Sequence, residues 1–416
     1  MRKILFLAAL ITGAESLSIN AQDAEKPAVK LSGYVRSESF FDTYKSAESR
    51  DGELYFYPLR KTLDATGKDL NQVSQLQMLG LQSRFRITGS GVSAFGAKAS
   101  GVIEADFNGS ADGYKNQMCL RLAALKLDWN KTQLILGQWW HPMSIPEFAP
   151  NTVLFASGMV FEPLNRSAQI RVTRQIDSQL KLIGALCSGT THKAIEPTDN
   201  SSQRNSGLPD MQLQLQYGGV NSFFFALTGG YKFLKPYLTT TANNSTYMAT
   251  KIIGSYNLQA CIGYQLPELS IKVQGNLGEN MTNYTMIGGY GQIENSANIK
   301  GEYDYANMKT MSLWTDLETK GTKFKMGLFA GYSENLGSNK NLIITNQLKK
   351  DFTRDADLKQ VFRIAPRAYV ISGPVDFGFE YSITGAVYGT YQGKSIKNTD
   401  KAVVNNRFLV SARYTF

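Results

Sequence analysis

The sequence has few of the residues on which catalytic and metal centres depend. It contains three cysteines and two histidines in 416 residues. The cysteines are far apart and odd in number, so we expect free thiols on strands, with no disulfide framework and no metal site. A nucleophile needs a general base, and only His141 and His192 are available for that role. The sequence therefore favours a protein that is not an enzyme and holds no cofactor.

The sequence also lacks a long apolar run. Beyond residue 21, nothing approaches the roughly 18 consecutive apolar residues that suggest a transmembrane helix. At the start of the chain, Arg2 and Lys3 precede an apolar run over 4–11, and Ala21 completes a plausible cleavage site. We therefore expect residues 1–21 to be removed as a secretory signal peptide.

Proline is scarce, whereas residues of strands and turns are abundant. The chain has 12 Pro against 37 Gly, 21 Tyr and 22 Phe, which favours strands joined by turns. In the last segment Phe408 and Tyr414 fall on one face of a strand, and Arg407 and Arg413 fall on the other. This alternation is typical of a membrane strand. Its end at Phe416 resembles the signal that the outer-membrane assembly machinery of gram-negative bacteria recognises.

Alternation of apolar and polar residues continues along the whole mature chain. It predicts sixteen strands, at 29–42, 77–89, 95–108, 117–129, 132–140, 167–175, 178–188, 210–217, 221–233, 247–263, 268–279, 305–318, 322–335, 359–372, 374–389 and 402–416. Short turns alternate with the long loops 43–76, 141–166, 189–209, 280–304 and 336–358. We predict an all-β transmembrane up-and-down antiparallel barrel over 29–416, preceded by a short periplasmic segment, 22–28. About 16 strands leave room for an aqueous channel.

Local features of three segments lead to more specific expectations. We expect loop 141–166, the third external loop, to fold into the lumen as the constriction. Trp139 and Trp140 precede this loop and fit an aromatic girdle at the membrane interface. Pro366 lies inside a predicted strand and suggests a bulge. The strand at 117–129 has an irregular in-and-out order.

The formal net charge is +10, and many basic residues fall on predicted inward faces. They are Arg36, Arg84, Arg86, Lys98, Arg121, Arg171, Lys272, Arg363, Arg367, Arg407 and Arg413. Acidic residues share these faces, namely Glu38, Glu104, Asp106, Asp376 and Glu380. A lumen with both signs of charge favours small dipolar or anionic solutes. The alternative is that these charges pair with one another and merely keep the channel wet.

Short motifs add a family resemblance. They are Leu31-Ser32-Gly33-Tyr34-Val35-Arg36, Gly101-Val102-Ile103-Glu104-Ala105-Asp106-Phe107 and Leu136-Gly137-Gln138-Trp139. With the terminal strand, they are similar to segments of DcaP-like outer-membrane porins. The resemblance implies a homotrimer of barrels that passes small anions such as dicarboxylates. Those porins often carry an N-terminal coiled coil, whereas here only residues 22–28 precede the first predicted strand.

Alternative functions depend on other parts of the chain. A phosphate-selective porin needs a continuous ladder of basic residues, which the interspersed acids interrupt. An adhesin or receptor would act through long polar loops such as 189–209 and 336–358. An outer-membrane phospholipase would depend on the two histidines. The basic residues form no patch for nucleic acid. We predict a passive porin of the bacterial outer membrane, with membrane lipid and small hydrophilic or anionic solutes as partners.

Overall fold

The computed structural model describes residues 26–109, 111–189, 194–197, 201–343, 345 and 352–416. The predicted signal peptide, 1–21, and most of the predicted segment 22–28 lie outside them. The barrel consists of sixteen strands. They are β1 (Ala28–Asp42), β2 (Gln75–Leu79 and Arg84–Ala94), β3 (Ala97–Asp106), β4 (Cys119–Asp128), β5 (Thr132–Trp140), β6 (Arg166–Gln175), β7 (Leu180–Ser188), β8 (Asp210–Gly218), β9 (Phe223–Leu234), β10 (Ile253–Gln265), β11 (Leu269–Glu279), β12 (Tyr305–Thr319), β13 (Phe324–Ser338), β14 (Leu358–Ser372), β15 (Val375–Tyr388) and β16 (Val403–Thr415).

Consecutive strands pair antiparallel, and the sheet closes on itself. β1 pairs with β16, where Asp42 lies opposite Arg407. At the seam, the backbones of Gly33 and Phe416 exchange two hydrogen bonds of 3.0 Å each. The short turns lie at the end of the barrel where β1 begins and β16 ends, and the long loops lie at the other end. The predicted up-and-down barrel of sixteen strands is confirmed.

The described loops contain several short elements. Hairpins form from Ser46–Ser49 with Leu54–Pro58, Thr239–Ala242 with Ser245–Met248, and Thr390–Gln392 with Ser395–Lys397. Strand Gly288–Gln292 pairs with β12 and with Thr353–Arg354. The helical segments are α1 (Ser202–Ser206) and the 3-10 turns Asp112–Tyr114, Phe155–Gly158 and Met281–Tyr284. Within the described ranges, every helix is too short and too polar to cross a membrane.

The two faces of the barrel wall differ as the sequence predicts. On β16, Phe408 and Val410 are 51% and 44% exposed on the outside, whereas Arg407 and Leu409 are 1% and 3% exposed on the inside. Side chains alternate between the faces of a strand, so one face is apolar toward lipid and the other is mostly polar toward the lumen.

The largest hydrophobic cluster lies inside the barrel. Phe148 and Phe161 of loop 141–166 pack against inward aromatic side chains of the wall, with ring centroids 5.7 Å from Trp314 on β12 and 5.9 Å from Phe329 on β13, respectively. Burying a phenylalanine side chain contributes about 1.5–3 kcal/mol. These contacts hold the loop against the β9–β13 side of the wall.

Three details of the strands differ from, or refine, the sequence prediction. β2 leaves the ladder over 80–83, where the Ser83 hydroxyl accepts a hydrogen bond from the Arg36 amide at 3.1 Å. In β4, Arg121 is an extra residue opposite the Glu104–Ala105 bond, which accounts for the irregular order seen in the sequence. The bulge predicted at Pro366 is wrong, because the register of β14 does not shift there.

Candidate functional site

Loop 141–166 runs through the lumen. Near its start, the Gln214 amide on β8 donates to the Pro142 carbonyl at 2.7 Å. Further along, the Lys272 ammonium on β11 donates to the Ala149 carbonyl, also at 2.7 Å. The inward polar side chains therefore satisfy loop carbonyls that would otherwise be buried without partners.

The same loop reaches the opposite wall. Glu380 on β15 accepts a hydrogen bond from the Val153 amide at 2.8 Å and another from the Ser157 hydroxyl. Arg363 on β14 donates to the Ser157 carbonyl at 2.8 Å. The loop is thus fastened along β8–β15, and Arg36 on β1 also donates a hydrogen bond to the Val153 carbonyl.

A second loop, 43–74, also folds inward. The Phe56 carbonyl accepts a hydrogen bond from Arg363 at 2.7 Å, and the Gly52 carbonyl accepts one from Arg407 at 2.9 Å. Arg363 and Arg407 are 0% and 1% exposed. Both guanidinium groups face the interior but are covered by loop backbone.

Two neighbouring cavities lie between loop 141–166 and the β1–β6 wall. The inner cavity, nearer the short turns, has a volume of about 260 Å³ and is lined by Tyr34, Arg36, Gln82, Arg84, Trp140, Pro150, Thr152 and Glu162, among others. The outer cavity, nearer the long loops, has about 360 Å³ and is lined by Glu48, Arg50, Phe56, Asp106, Asn283 and Arg354, among others. Both are lined by Arg121, Phe155, Met159, Leu164 and Arg166, which we call the junction.

An ion-pair cluster covers the wall beside the inner cavity. Glu104 accepts hydrogen bonds from Arg86 at 2.5 and 2.9 Å and from Arg121 at 2.8 Å. Arg121 also contacts Asp106 at 2.5 Å, and Arg84 lies 3.7 Å from Asp106. The extra residue in β4 turns Arg121 toward both acids. Three arginines share two carboxylates, so the cluster keeps a positive excess.

The junction depends on a glycine in β5. Gly137 has φ +120°, and a Cβ there would overlap the carbonyl oxygen of Ala123. Beyond this glycine, the Trp140 ring turns inward and lies 5.8 Å from the Arg121 guanidinium and 5.4 Å from that of Arg166. The predicted girdle role is wrong for Trp140, because its ring contacts lumen arginines.

Two loop carboxyl groups are affected by burial. Burial raises the pKa of Glu162 to about 8, against the opposing effect of the Lys272 charge. Burial, followed by the neighbouring Glu38 carboxylate, raises the pKa of Glu53 well above its usual range. Glu162 therefore favours the protonated form at neutral pH, which reduces the negative charge inside the barrel.

Comparisons with solved structures match the whole barrel. The outer-membrane channel DcaP of Acinetobacter baumannii superposes with a TM-score of 0.67 at 14% identity, covering 95% of this chain and 99% of that chain. The chain has the fold of an outer-membrane porin. The resemblance to DcaP-like porins that the motifs indicated is confirmed for the fold.

Two further porin-like barrels are similar. OmpT of Vibrio cholerae, an outer-membrane protein, gives a TM-score of 0.56 at 13% identity, covering 96% of this chain and 100% of that chain. An anion-selective porin from Comamonas acidovorans gives 0.53 at 12% identity, covering 94% and 100%. Sequence comparison adds nothing, since no protein-family model and no curated protein matches the chain.

Within this barrel, the predicted site residues separate into two groups. One group forms the ion-pair cluster beside the inner cavity: Arg84, Arg86, Glu104, Asp106 and Arg121. Arg36 lines the same cavity and also donates a hydrogen bond to the Val153 carbonyl of the loop. The other group faces the interior but is held by loops or neighbouring strands: Lys272, Arg363, Arg367 and Arg407.

The remaining predicted residues lie elsewhere. Arg171 lines a further cavity of about 510 Å³ together with Lys126 and Lys181, and this cavity shares Trp140 and Ile145 with the inner cavity. Arg413 pairs with Asp376 at 2.8 Å. Lys98 is exposed near the turn between β2 and β3.

Sequence reasoning missed several residues of the porin lumen. Arg166, Arg354 and Arg50 line the cavities but belong to loops or strand ends. There, alternation of apolar and polar residues does not predict whether a side chain points inward or outward. Arg166 could have been found as the residue that ends loop 141–166. Its basic side chain joins the lumen wall directly after the loop.

His141, the histidine within the described ranges, does not line the inner or the outer cavity. His141 is buried, with Nε2 3.2 Å from an Asp210 carboxylate oxygen and Nδ1 accepting a hydrogen bond from the Met143 amide at 3.2 Å. His192 lies outside the described residues. Among the described residues, no group of His, Cys, Asp or Glu side chains is arranged to hold a metal ion.

Proposed function

We propose that this chain is an outer-membrane porin that lets small hydrophilic solutes diffuse passively and favours small anions such as carboxylates. The observation that carries the proposal is the row of basic side chains that line the inner cavity, the junction and the outer cavity. Arg354 and Arg50 line the outer cavity, Arg121 and Arg166 line the junction, and Arg84 lines the inner cavity. Positive charge in a narrow lumen with low-dielectric walls raises the local concentration of anions.

Loop 141–166 is proposed as the constriction. It supplies Phe155, Met159 and Leu164 to the junction, and it is fastened to the wall on the far side of the lumen. Its position along the β8–β15 wall supports a solute path displaced toward β1–β6. The arginines in loop-covered positions, such as Arg363, are then anchors for loops and do not contact the solute.

The targeting and assembly of the protein are part of the proposal. Residues 1–21 act as the signal peptide, and Phe416 is read by the outer-membrane assembly machinery. Three copies associate through their apolar outer walls. A trimer form is known for OmpT of Vibrio cholerae, and the exposed apolar side chains of this barrel are compatible with contacts to lipid and to other copies. Chemical cross-linking of the refolded protein tests the number of copies.

The decisive experiment measures the reversal potential of the refolded mature protein in a planar bilayer under a potassium chloride gradient. We expect stable channels that prefer chloride. Replacing Arg84 and Arg86 by glutamine removes positive charge from the inner cavity and should weaken the preference. The matched control is Arg174→Gln, because Arg174 is exposed and bonded to Thr132. A protein that inserts but carries no current would overturn the proposal.

A further inference from the structure

The junction has two unlike walls. Arg121 and Arg166 extend from the strands, and Phe155, Met159 and Leu164 extend from loop 141–166. Since the inner and outer cavities share these five residues, a solute that passes between the cavities contacts both walls. One wall offers cationic hydrogen-bond donors, and the other offers three apolar side chains.

The two arginines differ in their partners. Arg121 is neutralised by Glu104 at 2.8 Å and by Asp106 at 2.5 Å. Arg166 is 9% exposed, and its Nε is buried without a hydrogen-bond partner. Its nearest aromatic contact is the Trp140 ring, 5.4 Å away. No described residue forms a hydrogen bond or an ion pair with the Arg166 side chain.

A buried cation without an anionic neighbour in contact is costly. A carboxylate that entered the junction would supply two acceptor oxygens in the plane that a guanidinium fork matches. The Arg166 donors are therefore free for a solute, whereas those of Arg121 are engaged. On the opposite wall, the apolar part of the solute would contact Phe155 and Met159.

We propose that the junction is a binding subsite for amphipathic monoanions, with the carboxylate on Arg166 and a short apolar chain on Phe155, Met159 and Leu164. The inference rests on the proposed porin function and goes further by specifying the body of the solute. Each methylene that leaves water strengthens binding by up to roughly fourfold. A dicarboxylate of the same length would press its second charge against the apolar wall, which disfavours it.

The test compares three anions of defined chemistry as blockers of the chloride current through single channels in a planar bilayer. Acetate carries the charge alone, hexanoate adds an apolar chain, and adipate has the same chain with a charge at each end. We expect hexanoate to reach half-block at a concentration at least tenfold lower than either acetate or adipate. Each blocking event should also be shorter with acetate and adipate than with hexanoate.

Variants assign the effect to the two walls. Arg166→Gln should raise the half-blocking concentration of hexanoate at least tenfold, and Met159→Ser should move it toward the acetate value. Arg174→Gln, on the same strand but outside the cavities, should leave it unchanged. Heat-modifiable migration on gels shows that each variant is folded; if Arg166→Gln is not, Arg166→Lys, which loses the forked geometry, takes its place.

The outcomes separate the subsite from the porin proposal. Equal block by hexanoate and adipate in an anion-preferring channel would overturn the subsite and leave the porin function standing. An Arg166 variant that is blocked like the unmodified protein would do the same. A protein without any current would overturn the porin function and the subsite together.

Discussion

Arg367 on β14 holds Asp316 on β12 through two hydrogen bonds, 2.7 and 3.0 Å long, across the strand that separates them. The guanidinium passes over Gly327 of β13, where a Cβ would overlap it. Glu318 accepts a third bond at 2.9 Å. A glycine in the middle strand is thus what permits an ion-pair network to span three strands on the lumen face.

This network predicts a large stability effect. Arg367→Met leaves Asp316 buried without its cation, and we expect a loss of about 3–5 kcal/mol in the free energy of unfolding. Gly327→Ala should also destabilise the barrel, because the added methyl group displaces the Arg367 guanidinium. Urea unfolding of the barrel in lipid vesicles measures both. Gly184→Ala is the control, because a Cβ on Gly184 of β7 meets no atom within 4 Å; equal effects of the two alanine variants would contradict the explanation.

The loop anchor at Arg363 predicts a change in conductance. Its guanidinium binds the carbonyls of Phe56 and Ser157, from two different loops. Arg363→Gln should loosen both loops and raise the single-channel conductance, with the chloride preference retained because Arg84 and Arg166 are untouched. Thr384→Ala is the matched control, since the Thr384 hydroxyl accepts a hydrogen bond from the same arginine at 2.8 Å and belongs to the barrel wall, not to a loop. Unchanged conductance in a folded Arg363 variant would contradict this role.

The carboxyl group of Glu162 predicts a pH effect on selectivity. Its pKa is raised to about 8 by burial, so the group is neutral at pH 6.5 and negative at pH 9. The added charge in the inner cavity should weaken chloride preference in the reversal potential. Glu162→Gln should abolish this change between the two pH values, whereas Glu147→Gln, at an exposed position in the same loop, should retain it.

The same shift has a consequence for stability. Unfolded glutamate titrates near its ordinary value, below the value in the folded barrel, so the unfolded chain releases the proton first. Glu162 therefore favours the folded state below about pH 4.5, and this contribution is lost as the pH rises through about 8. If Glu162→Gln shows the same pH dependence of urea unfolding as the unmodified protein, the assignment is wrong.

The C-terminal residue predicts a difference between cells and detergent. Phe416 bonds Gly33 through its backbone, while its ring is 47% exposed on the outside of the barrel. Phe416→Ala keeps the backbone seam but removes the ring, so we expect poor assembly in the outer membrane and nearly normal refolding in detergent. Gly33→Ala should impair both, because a Cβ there would overlap the Arg84 carbonyl oxygen. Normal assembly of Phe416→Ala in cells would contradict the targeting proposal.

Strand alternation predicted the wall of the barrel well. The last strand was expected at 402–416 and is Val403–Thr415, because lipid on one side and polar groups on the other impose a period of two. The break over 80–83 and the extra residue at Arg121 were not predicted in detail. They depend on contacts between neighbouring strands, which the order of residues in a single strand does not contain.

The contents of the lumen were harder to predict. Alternation places Arg84 and Arg363 on the same inner surface, yet one lines a cavity and the other is covered by loop backbone. The difference comes from where loops 43–74 and 141–166 dock, and these contacts connect residues far apart in the chain, such as Arg363 and Phe56, 307 positions apart. Trp140 was misjudged because its contacts with Arg121 and Arg166, which lie on other strands, cannot be read from its own strand.

The position of Trp140 also gives the protein an optical property. The chain has four tryptophans, and this indole is the one that lies between Arg121 and Arg166 at the junction. Anions such as iodide that accumulate at the junction should quench its fluorescence. The difference in quenching between the unmodified protein and Trp140→Phe gives the contribution of Trp140. Ion entry into the barrel can therefore be followed in detergent solution by fluorescence, without a membrane or an electrode.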